Sequence, residues 1–425
     1  MIYEILYTET MEDKKMGLKN VEKVLSHILE KLKSEGRSKG KEYIITKVKK
    51  AEGEKGPRYF LMGKGEQEFI RMNSNSYLGM SLREEIIQEE EAATKKYGVG
   101  PGAVRFISGT FLPHRNLEKK LANFHGRDDA MLFSSAYTTV VGILSPLITP
   151  DTIVISDELN HNCIINALKL SRPKDKKIYK HLDMKELEKR IKESINKAKR
   201  LIIVTDGIFS MRGDYAPLDI ISELSDKYDQ EFPENIILVV DDSHGIGAYG
   251  KTGRGTEEIT KATGVDILVG TLGKAFGVNG GYVTSSQTVI TFLRESAPMY
   301  IYSNPISPAE ACAALKSLEI LDSQKGKDIL IHLQKMTRKF EKGLLSLGYE
   351  IIESKHPIVP LMVRDTKKTT DLVNYLIGKG ILGTGLNYPV VPKGDEEIRF
   401  QINADHTPYD IEYALTVLKD YSQKN

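Results

Sequence analysis

The stretch Ile236-Ile-Leu-Val-Val-Asp-Asp-Ser-His-Gly245 decides the fold of this chain. Its first five residues are apolar and mostly β-branched, which predicts a fully buried strand over Ile236–Val240. Two aspartates, a serine and a histidine follow directly at positions 241–244. Strands buried on both faces belong to parallel sheets, and ligands bind at the carboxyl ends of such strands. This stretch therefore predicts an α/β protein with a functional site where the strand ends.

The same pattern recurs on both sides of this stretch. Helical spacing of apolar residues is found at Met184–Ala198 and at Leu218–Tyr228. Other short runs are rich in β-formers, and the strands predicted from them are Thr152–Ser156, Leu201–Thr205, Ile267–Gly270 and Gly281–Thr284. Alternating strands and helices are typical of a mostly parallel sheet covered by helices, so we expect an α/β fold with one large sheet domain.

Three regions are expected along the chain: an N-terminal extension over residues 1–70, a large domain over 71–305 and a smaller α/β domain over 306–425. In the extension, apolar residues recur at helical spacing over Val21–Leu32, and this helix is expected to pack on the body or on a partner chain. A short strand is expected at Tyr43–Val48. The elements predicted for the C-terminal region are helices Pro308–Leu321, Ile329–Leu347 and Pro408–Tyr421 and strands Ile358–Val363 and Ile398–Ile402.

The composition excludes several classes of function. The 425 residues carry 60 basic and 58 acidic side chains, so we expect neither nucleic acid nor a membrane surface as a partner. Cys163 and Cys312 lie far apart, so neither a disulfide framework nor a metal site is predicted. Residues 1–16 lack the pattern of a signal peptide, and the uncharged stretch 130–150 is too polar for a membrane span. We expect a cytoplasmic protein.

One motif suggests a different class of protein. Gly245-Ile-Gly-Ala-Tyr-Gly-Lys-Thr252 matches the phosphate-loop pattern G-x-x-x-x-G-K-[ST]. That loop needs a preceding strand and a helix directly after it, whose N-terminus binds phosphate. Here the predicted strand ends four residues too early, and Gly253-Arg-Gly255 is a poor start for a helix. We interpret the match as accidental, with a nucleoside-triphosphate site as the outside alternative.

Polar side chains follow four of the predicted strands. Because the carboxyl ends of parallel strands meet at one rim, we expect these side chains to converge. A lysine and a carboxylate on separate strands, with hydroxyls and a histidine nearby, are groups that a pyridoxal phosphate site needs. The start of a helix at residues 134–137 could bind the phosphate. The strand-end residues are Asp157, Asn160, His161, Asp206, Ser210, Asp241, Asp242, Ser243, His244, Thr271 and Lys274.

From Asn75 to the C-terminus, ordered motifs resemble those of the α-oxoamine synthases, which are fold type I pyridoxal phosphate enzymes. Within that family they look most like the glycine C-acetyltransferases, also called 2-amino-3-ketobutyrate CoA ligases. The resemblance implies a large domain with a mostly parallel sheet, a smaller C-terminal α/β domain and an obligate homodimer. The main matching stretches are Asn75-Ser-Tyr-Leu-Gly79, Val104-Arg-Phe-Ile-Ser-Gly-Thr110, Thr205-Asp-Gly-Ile-Phe-Ser-Met211, Asp241-Asp-Ser-His244, Gly270-Thr-Leu-Gly-Lys274 and Tyr388-Pro-Val-Val-Pro-Lys-Gly394.

The resemblance also implies roles for three catalytic residues. Lys274 would form the Schiff base with pyridoxal phosphate and later move protons at the amino-acid Cα. Asp242 would pair with the protonated pyridine nitrogen, which keeps the ring an electron sink. His161 would stack on the face of the ring.

Further contacts are implied for the cofactor and the substrate. His244 and Ser210 would lie near the phenolic oxygen, and Arg399 would bind the substrate carboxylate with help from Asn75. Ser303 is expected to reach the phosphate in the partner's site across the dimer interface. The remaining implied cofactor contacts, on the phosphate side, are Ser135, Ala136, Tyr137 and Thr271.

The reaction implied by the resemblance is condensation of glycine with acetyl-CoA to 2-amino-3-oxobutanoate and CoA. Alternatives are a decarboxylating condensation like those of 8-amino-7-oxononanoate synthase or serine palmitoyltransferase, an aminotransferase, and a non-catalytic subunit. Three departures from the family pattern concern the acyl donor: a loop after Lys274 one residue shorter than usual, Arg212 at a usually acidic position, and Pro101 in a glycine-rich turn.

Overall fold

The computed structural model describes residues 18–35, 37, 42–388 and 390–424. The part of the extension tested for a signal peptide, residues 1–16, lies outside these ranges. The helices are α1 Lys19–Ser34, α2 Glu84–Tyr97, α3 Leu112–His125, α4 Ala136–Leu147, α5 Asn162–Ser171, α6 Met184–Lys192, α7 Leu218–Tyr228, α8 Thr256–Thr260, α9 Gln287–Ser296, α10 Pro298–Ile301, α11 Pro308–Leu321, α12 Gln324–Ser346, α13 Thr366–Gly378 and α14 Pro408–Ser422.

Fourteen strands are found among the described residues. They are β1 Ile45–Lys49, β2 Arg58–Leu61, β3 Ile70–Arg71, β4 Asp129–Phe133, β5 Thr152–Asp157, β6 Asp175–Tyr179, β7 Arg200–Asp206, β8 Ile236–Asp241, β9 Ile267–Thr271, β10 Gly281–Ser285, β11 Ile358–Met362, β12 Ile381–Leu382, β13 Thr384–Leu386 and β14 Glu397–Gln401.

The large sheet has seven strands in the order β4-β10-β9-β8-β7-β5-β6. Strands β6, β5, β7, β8 and β9 pair in parallel, whereas β10 runs antiparallel between β9 and β4. The central strands are almost entirely apolar and buried, as expected for strands covered by helices on both faces. The predicted α/β class and mostly parallel sheet are confirmed.

Side chains alternate between two hydrophobic layers along these strands. One layer contains Val204, Val239 and Val269 and packs against α4 and α5. The other contains Ile203 and Val240 and packs towards the remaining helices and the C-terminal region. Residues an even number of positions after Val204, Val239 or Val269 in the same strand point to the layer that packs against α4 and α5. Polar residues at the strand ends can therefore meet on that side only if they fall at such positions.

The C-terminal region has its own three-stranded antiparallel sheet, in the order β11-β14-β13. Strand β14 is central, so Arg399 is held between Pro360 of β11 and Thr384 of β13. Helix α12 begins at Gln324, five residues earlier than predicted, because the Ser323 side chain caps it by accepting from the Gly326 N–H.

The N-terminal residues pack on the C-terminal region. Strand β3 pairs in parallel with β12, across the predicted boundary at residue 70. Arg58 Nη2 lies 2.6 Å from Asp410 Oδ1, and both side chains are buried. In contrast, no residue of α1 is buried, and apolar side chains such as Leu25 and Leu29 are exposed. The predicted apolar stripe does not pack on the described body. No described helix has the length and apolar character to cross a membrane.

Most predicted elements are found with small shifts. The strand expected at Tyr43–Val48 is Ile45–Lys49, and the helix expected to reach Ala198 ends at Lys192 because Asn196 adopts a left-handed turn with φ of 60°. Strands β4 and β6 were missed by the sequence reading. Strand β6 carries three charged residues at the edge of the sheet, where an apolar pattern is not required.

Candidate active site

The carboxyl ends of β7, β8 and β9 converge beside the N-termini of α4 and α5. Asp206 and Asp241 are paired residues in the register of β7 and β8, so their side chains lie side by side on one face. Lys274 follows β9 after a three-residue step. Together these elements enclose a cavity lined by Ala136, Tyr137, His161, Cys163, Asp206, Ile208, Ser210, Asp241, Ser243, His244 and Lys274.

Lys274 is a buried amine in this cavity. Burial lowers the pKa of Lys274 to about 8, against the opposing effect of the carboxylates Asp241 and Asp206. The positive charge of Arg399 also lowers this pKa. Burial therefore increases the fraction of Lys274 that is an uncharged amine near neutral pH, which is the form that can attack a carbonyl carbon or accept a proton.

The two neighbouring aspartates differ in their hydrogen bonding. Asp241 Oδ1 accepts from the Ser243 N–H at 3.1 Å, and Asp206 Oδ2 accepts from the His161 N–H at 3.0 Å. Burial, followed by the charge of Asp241, raises the pKa of Asp206 well above its ordinary value. This favours a neutral, protonated Asp206 next to the Asp241 side chain. Asp206 Oδ1 has no partner among the described residues.

The structure does not bring Asp242, the residue predicted to meet the pyridine nitrogen, into the cavity. Asp242 is fully buried and faces away from the cavity, where Oδ2 accepts from the Thr256 N–H and Oδ1 from the Thr256 hydroxyl, both at 2.7 Å. Burial raises the pKa of Asp242 to about 7. The physical reason is strand parity: Asp241 shares the face of Val239 above α4 and α5, and Asp242 comes next on the opposite side. Asp241 is the carboxylate that lines the cavity.

The start of α4 provides free backbone donors. Ser135 is its N-cap, and the Ser135 hydroxyl is used to accept from the Thr138 N–H. No hydrogen bond of the Ala136 or Tyr137 N–H group is formed within the described residues, and both residues line the cavity. Gly281 allows this close approach, because a Cβ there would lie 2.4 Å from the Ala136 nitrogen. The first turn of α4 thus presents to the cavity the unpaired N–H groups with which helix N-termini bind anions.

His161 is the N-cap of α5 and also lines the cavity. Its Nδ1 accepts from the Cys163 N–H at 3.3 Å, which orients the ring. The ring of Tyr137 lies edge-on, with 6.4 Å between the centroids. Burial lowers the pKa of His161, Asp241 raises it and Lys274 lowers it, with a net lowering. His161 is therefore a neutral imidazole near neutral pH, a form suited to stacking on a flat ring.

His244 also lines the cavity and is held by buried partners. The Tyr77 hydroxyl is 2.8 Å from His244 Nδ1, and His356 Nε2 donates to the His244 carbonyl oxygen at 2.9 Å. Burial and the charges of Lys274 and Arg399 lower the pKa of His244 well below its ordinary value. Ser210 lines the same cavity, as predicted by its position after β7.

Arg399 lies near this site with its charge unpaired. Its Nη2 is 3.4 Å from Asn75 Oδ1, its Nε is buried without a partner, and no described carboxylate lies within 4.0 Å of the guanidinium. Burial raises the pKa of the nearby Glu397 to about 8, despite the positive charges of Arg399 and Arg212. Glu397 is therefore mostly neutral near pH 7 and leaves the charge of Arg399 available to an anionic ligand.

Besides Asp242 and the N-cap residue Ser135, the predicted cofactor contacts Thr271 and Ser303 do not line the cavity of the single chain. The Thr271 hydroxyl is 3.3 Å from the Gly280 carbonyl oxygen and accepts from the Gly273 N–H, so it joins the turn after β9. Ser303 follows α10, next to Tyr302, whose side chain is 80% exposed. Neither residue is among those that line the cavity.

In the loop that matches the phosphate-binding pattern, the Glu258 side chain already occupies several hydrogen-bond donors. Glu258 carboxylate oxygens accept from the Thr252 N–H, the Thr252 hydroxyl and the Arg254 N–H at 3.0 to 3.2 Å. Helix α8 has only five residues. Lys251 instead lines a separate cavity of about 720 Å³, which contains none of the predicted cofactor contacts. Glu258 therefore takes up donors of this loop that a nucleotide phosphate would need.

The residues present fit pyridoxal phosphate. The free N–H groups of α4 can receive a phosphate, Lys274 is a buried amine, and Asp241 lies on the same cavity wall. Polar atoms that are buried without a partner, Asp206 Oδ1 and Ser243 Oγ, belong to residues lining this cavity. Such orphaned groups are costly in a folded protein unless a ligand satisfies them.

Comparisons with known proteins decide the family. Residues 67–418 match the family "Aminotransferase class I and II". An 8-amino-7-oxononanoate synthase of Bacillus velezensis is 38% identical over 381 residues, covering 89% of this chain and 93% of that protein. A mitochondrial 2-amino-3-ketobutyrate coenzyme A ligase of Mus musculus is 38% identical over 341 residues, covering 80% of each. The chain belongs to the α-oxoamine synthases.

Solved structures agree with this α-oxoamine synthase fold. A serine palmitoyltransferase of Sphingomonas wittichii superposes with a TM-score of 0.85 at 24% identity, covering 96% of this chain and 98% of that one. This likeness confirms the fold type I architecture. Neighbouring serine palmitoyltransferase structures contain pyridoxal phosphate, one of them as the internal aldimine. The chain is thus a pyridoxal-phosphate-dependent α-oxoamine synthase that condenses an amino acid with an acyl-CoA.

Several residues of this α-oxoamine synthase site were missed by the sequence reading. The sequence shows that Asp241 and Asp206 follow strand ends, but it assigns them no role. Their side chains point into the cavity only because they lie on the sheet face that packs against α4, and the sequence does not show which face that is. Tyr77 is part of a matching motif, but its contact with His244 joins residues 167 positions apart. Cys163 had been considered only as a disulfide or metal candidate.

Proposed function

We propose that this α-oxoamine synthase condenses glycine with acetyl-CoA to give 2-amino-3-oxobutanoate and free CoA. A bond forms between glycine Cα and the thioester carbonyl carbon, the carbon–sulfur bond breaks, and the proton removed from Cα ends on the CoA thiol. The observation that carries the proposal is the amine of Lys274, which lines the cavity with Asp206 and Asp241 and feels the charge of the unpaired Arg399.

Each part of the cofactor has a matching group in this chain. The Ala136 and Tyr137 N–H groups would hold the phosphate, with Ser303 of the partner subunit completing the contact. Asp241 would pair with the pyridine nitrogen and His161 would lie over the ring. When bound, pyridoxal phosphate supplies a carbonyl that condenses with amines and a ring that accepts electrons from Cα.

Further cofactor contacts are assigned from position. Tyr77 holds His244, so that His244 Nε2 is free to face the phenolic oxygen, with Ser210 nearby. Thr271 and Ser135 support the turns from which the phosphate contacts project.

Arg399 would bind the carboxylate of the amino acid. Its guanidinium is half-buried, positively charged and without a carboxylate partner, and Asn75 lies beside it. A bidentate contact would fix the carboxylate plane and leave the Cα hydrogen directed at Lys274. Lys274 would then accept that proton as a neutral amine, because burial holds its pKa near the working pH.

A second cavity supports an acyl-CoA as the other substrate. Its volume is about 430 Å³, and it shares Tyr137 with the cofactor cavity. Its wall includes the apolar side chains of Val141, Leu170 and Met299. Lys169 lies in the same wall and has no carboxylate within 4.0 Å among the described residues, so it is available to a phosphate group of CoA.

A homodimer is part of this proposal. The apolar side chains of α1 are exposed in the single chain, including Leu25 at 51% and Leu29 at 64%. Exposed Phe106, Ile107 and Tyr302 form further apolar surface near Ser303. A second copy that covers such surfaces would also bring Ser303 to the neighbouring site.

A second candidate reaction is favoured by the bacterial relatives. The 8-amino-7-oxononanoate synthases of Bacillus velezensis and Bacillus pumilus are 38% and 40% identical to this chain. The product in that name carries a methyl group on the amino-bearing carbon and a carboxylate at the far end of its chain. A condensation of that type uses a larger amino acid and releases carbon dioxide.

The two candidates are separated by one substrate matrix. The purified protein, loaded with pyridoxal phosphate, is mixed with glycine, alanine or serine and with acetyl-CoA, a long-chain acyl-CoA or a dicarboxylic acyl-CoA. Free thiol, carbon dioxide and product mass are measured for each pair. We expect the highest kcat/KM for glycine with acetyl-CoA, by about tenfold or more over the other pairs, since an added methyl or acyl contact changes specificity by that order.

Other outcomes have defined meanings. A preference for alanine and a dicarboxylic acyl-CoA, with release of carbon dioxide, would replace the glycine proposal by the 8-amino-7-oxononanoate type. Formation of pyridoxamine phosphate from an amino acid alone would indicate an aminotransferase. Absence of thiol release with every pair, in a protein that binds the cofactor, would indicate a non-catalytic subunit.

A further inference from the structure

Cys163 lies between two groups that are assigned to the cofactor. It is in the first turn of α5, two residues after His161, and its side chain is 2% exposed. Its Sγ is 3.0 Å from His161 Nδ1 and 3.6 Å from Asp241 Oδ2. Cys163 also lines the cofactor cavity. One sulfur atom therefore contacts both the ring that would cover the cofactor and the carboxylate that would meet its nitrogen.

The hydrogen bonds fix which atoms donate. The Cys163 N–H donates to His161 Nδ1 at 3.3 Å, so Nδ1 carries a lone pair and the imidazole proton is on Nε2. Burial and the charges of Asp241 and Asp206 raise the pKa of the Cys163 thiol, so it remains S–H. A thiol that is always protonated can donate to either of its two neighbours, and both are acceptors.

We propose that Cys163 is a positioning residue, whose single S–H proton is shared between His161 Nδ1 and Asp241 Oδ2 and so restrains both groups before the cofactor binds. The thiol reacts with nothing and transfers no proton. Together with the Cys163 backbone N–H it keeps the His161 ring in the Nε2–H form and at one angle, and it restrains Asp241 Oδ2 on the cavity wall. This inference rests on the roles proposed above for His161 and Asp241.

The groups around His161 determine whether its pKa rises or falls when the Cys163 thiol is removed. Asp241 and Lys274 face the imidazole, Asp206 accepts from its backbone N–H, and the uncharged Tyr137 ring lies edge-on. None of these is altered when the thiol is removed. A donor to Nδ1 stabilises the neutral imidazole, so losing it raises the pKa of His161, whereas a hydroxyl in its place preserves the donor.

The first test is made on the full chain without cofactor. Histidines are labelled with ¹⁵N, and the His161 signal is identified by its absence in His161→Gln. Its tautomer and titration are then followed by NMR. In Cys163→Ala we expect the pKa of His161 to rise by about half a unit, which is the size of a weak hydrogen bond. In Cys163→Ser we expect the parent value within error.

The second test uses the loaded enzyme. Cys163→Ala is expected to reduce kcat about three- to tenfold while KM for the amino acid changes less than twofold, and Cys163→Ser is expected to restore kcat. The matched control is Cys312→Ala, the same change at the other cysteine, on α11. It should alter neither the His161 titration nor kcat.

The two tests distinguish this inference from the proposed function. An unchanged His161 titration in Cys163→Ala would overturn the positioning role, whatever the enzyme catalyses. Equal defects in Cys163→Ala and Cys163→Ser would also overturn it, because they would indicate packing rather than hydrogen bonding. A shifted titration that Ser reverses would support the role of Cys163 even in a protein without activity on glycine.

Discussion

Two buried clusters of charged side chains, one around Glu118 and one around Lys274, differ in how many of their polar atoms have hydrogen-bond or ion-pair partners. Glu118 on α3 is fully buried and lies within 3.5 Å of guanidinium nitrogens of Arg105, Arg115 and Arg294. Burial alone would raise the pKa of Glu118, but the charges of Arg105 and Arg294 lower it overall. At the other cluster, burial lowers the pKa of Lys274 to about 8.

The difference separates a structural cluster from a functional one. The lone pairs of Glu118 are used by protein donors, including the Leu132 N–H, so nothing remains for a ligand. Around Lys274, buried atoms of Asp206, Ser243 and Arg399 have no partner. Buried charge alone does not distinguish the candidate active site. What distinguishes it is a shifted pKa together with buried polar atoms that have no hydrogen-bond partner.

The largest effect is expected at Lys274. Lys274→Ala removes the amine that we propose attacks the cofactor and acts as the base at Cα, so we expect activity to fall at least about 1,000-fold. The visible absorbance of the loaded protein should also be lost. Lys251→Ala, a lysine of the phosphate-loop match, is the control and should retain both; a protein that loses activity with Lys251→Ala would contradict the location of the site.

The next effect tests the strand parity at residues 241 and 242. Asp241→Asn keeps the shape but removes the charge, and we expect kcat to fall about 100-fold with loss of a charge-assisted hydrogen bond. Asp242→Asn removes a charge from a carboxyl group outside the cavity whose pKa burial raises to about 7, so kcat should change less than about threefold. The reverse order would restore the original assignment of Asp242.

A third prediction concerns the fully paired cluster. Glu118→Gln leaves three guanidinium groups without their shared carboxylate, which should cost about 3 kcal/mol of unfolding free energy and lower Tm by several degrees. The absorbance of the bound cofactor and KM for the amino acid should be unchanged in the folded variant. Thermal unfolding followed by circular dichroism checks the first point, and a changed absorbance band would show that the two clusters are coupled.

The smallest effect is a pH dependence of cofactor capture. In the proposed mechanism the uncharged form of Lys274 attacks the cofactor carbonyl, and burial lowers the pKa of Lys274 to about 8. The rate of pyridoxal phosphate binding by the cofactor-free protein should therefore rise with pH and level off above about 8. Stopped-flow absorbance measures this rate. A rate that keeps rising towards pH 10 would indicate an ordinary exposed lysine.

Much of the fold could be predicted from the sequence because the central strands are long apolar runs. Ile236–Asp241 and Leu218–Tyr228 needed no tertiary information. Strand β6 could not be recognised, since its charged residues lie at an edge where burial does not constrain them. The pairing of β3 with β12 joins residues 311 positions apart, and the pairing of β4 with β10 joins Phe133 to Gly281, 148 positions apart.

The site was predictable in its residue types and less so in its geometry. Lys274, His161, His244 and Ser210 were found because each follows a strand end. The choice between Asp241 and Asp242 depends on which face of the sheet packs against α4. Two adjacent aspartates point to opposite faces, and the sequence alone does not show which of those faces packs against α4. The sequence could not show that Arg399 lacks an ion-pair partner, because this depends on the three-dimensional packing. No carboxylate of the described residues lies within 4.0 Å of its guanidinium.

The central claim is that Lys274 is the residue that binds the cofactor at the meeting point of β7, β8 and β9. It is tested most directly by loading the full chain with pyridoxal phosphate, reducing with borohydride and locating the modified lysine by peptide mass spectrometry. We predict a single pyridoxyl group on Lys274 and none on Lys251. Modification of Lys251, or of many exposed lysines with Lys274 unmodified, would contradict the claim.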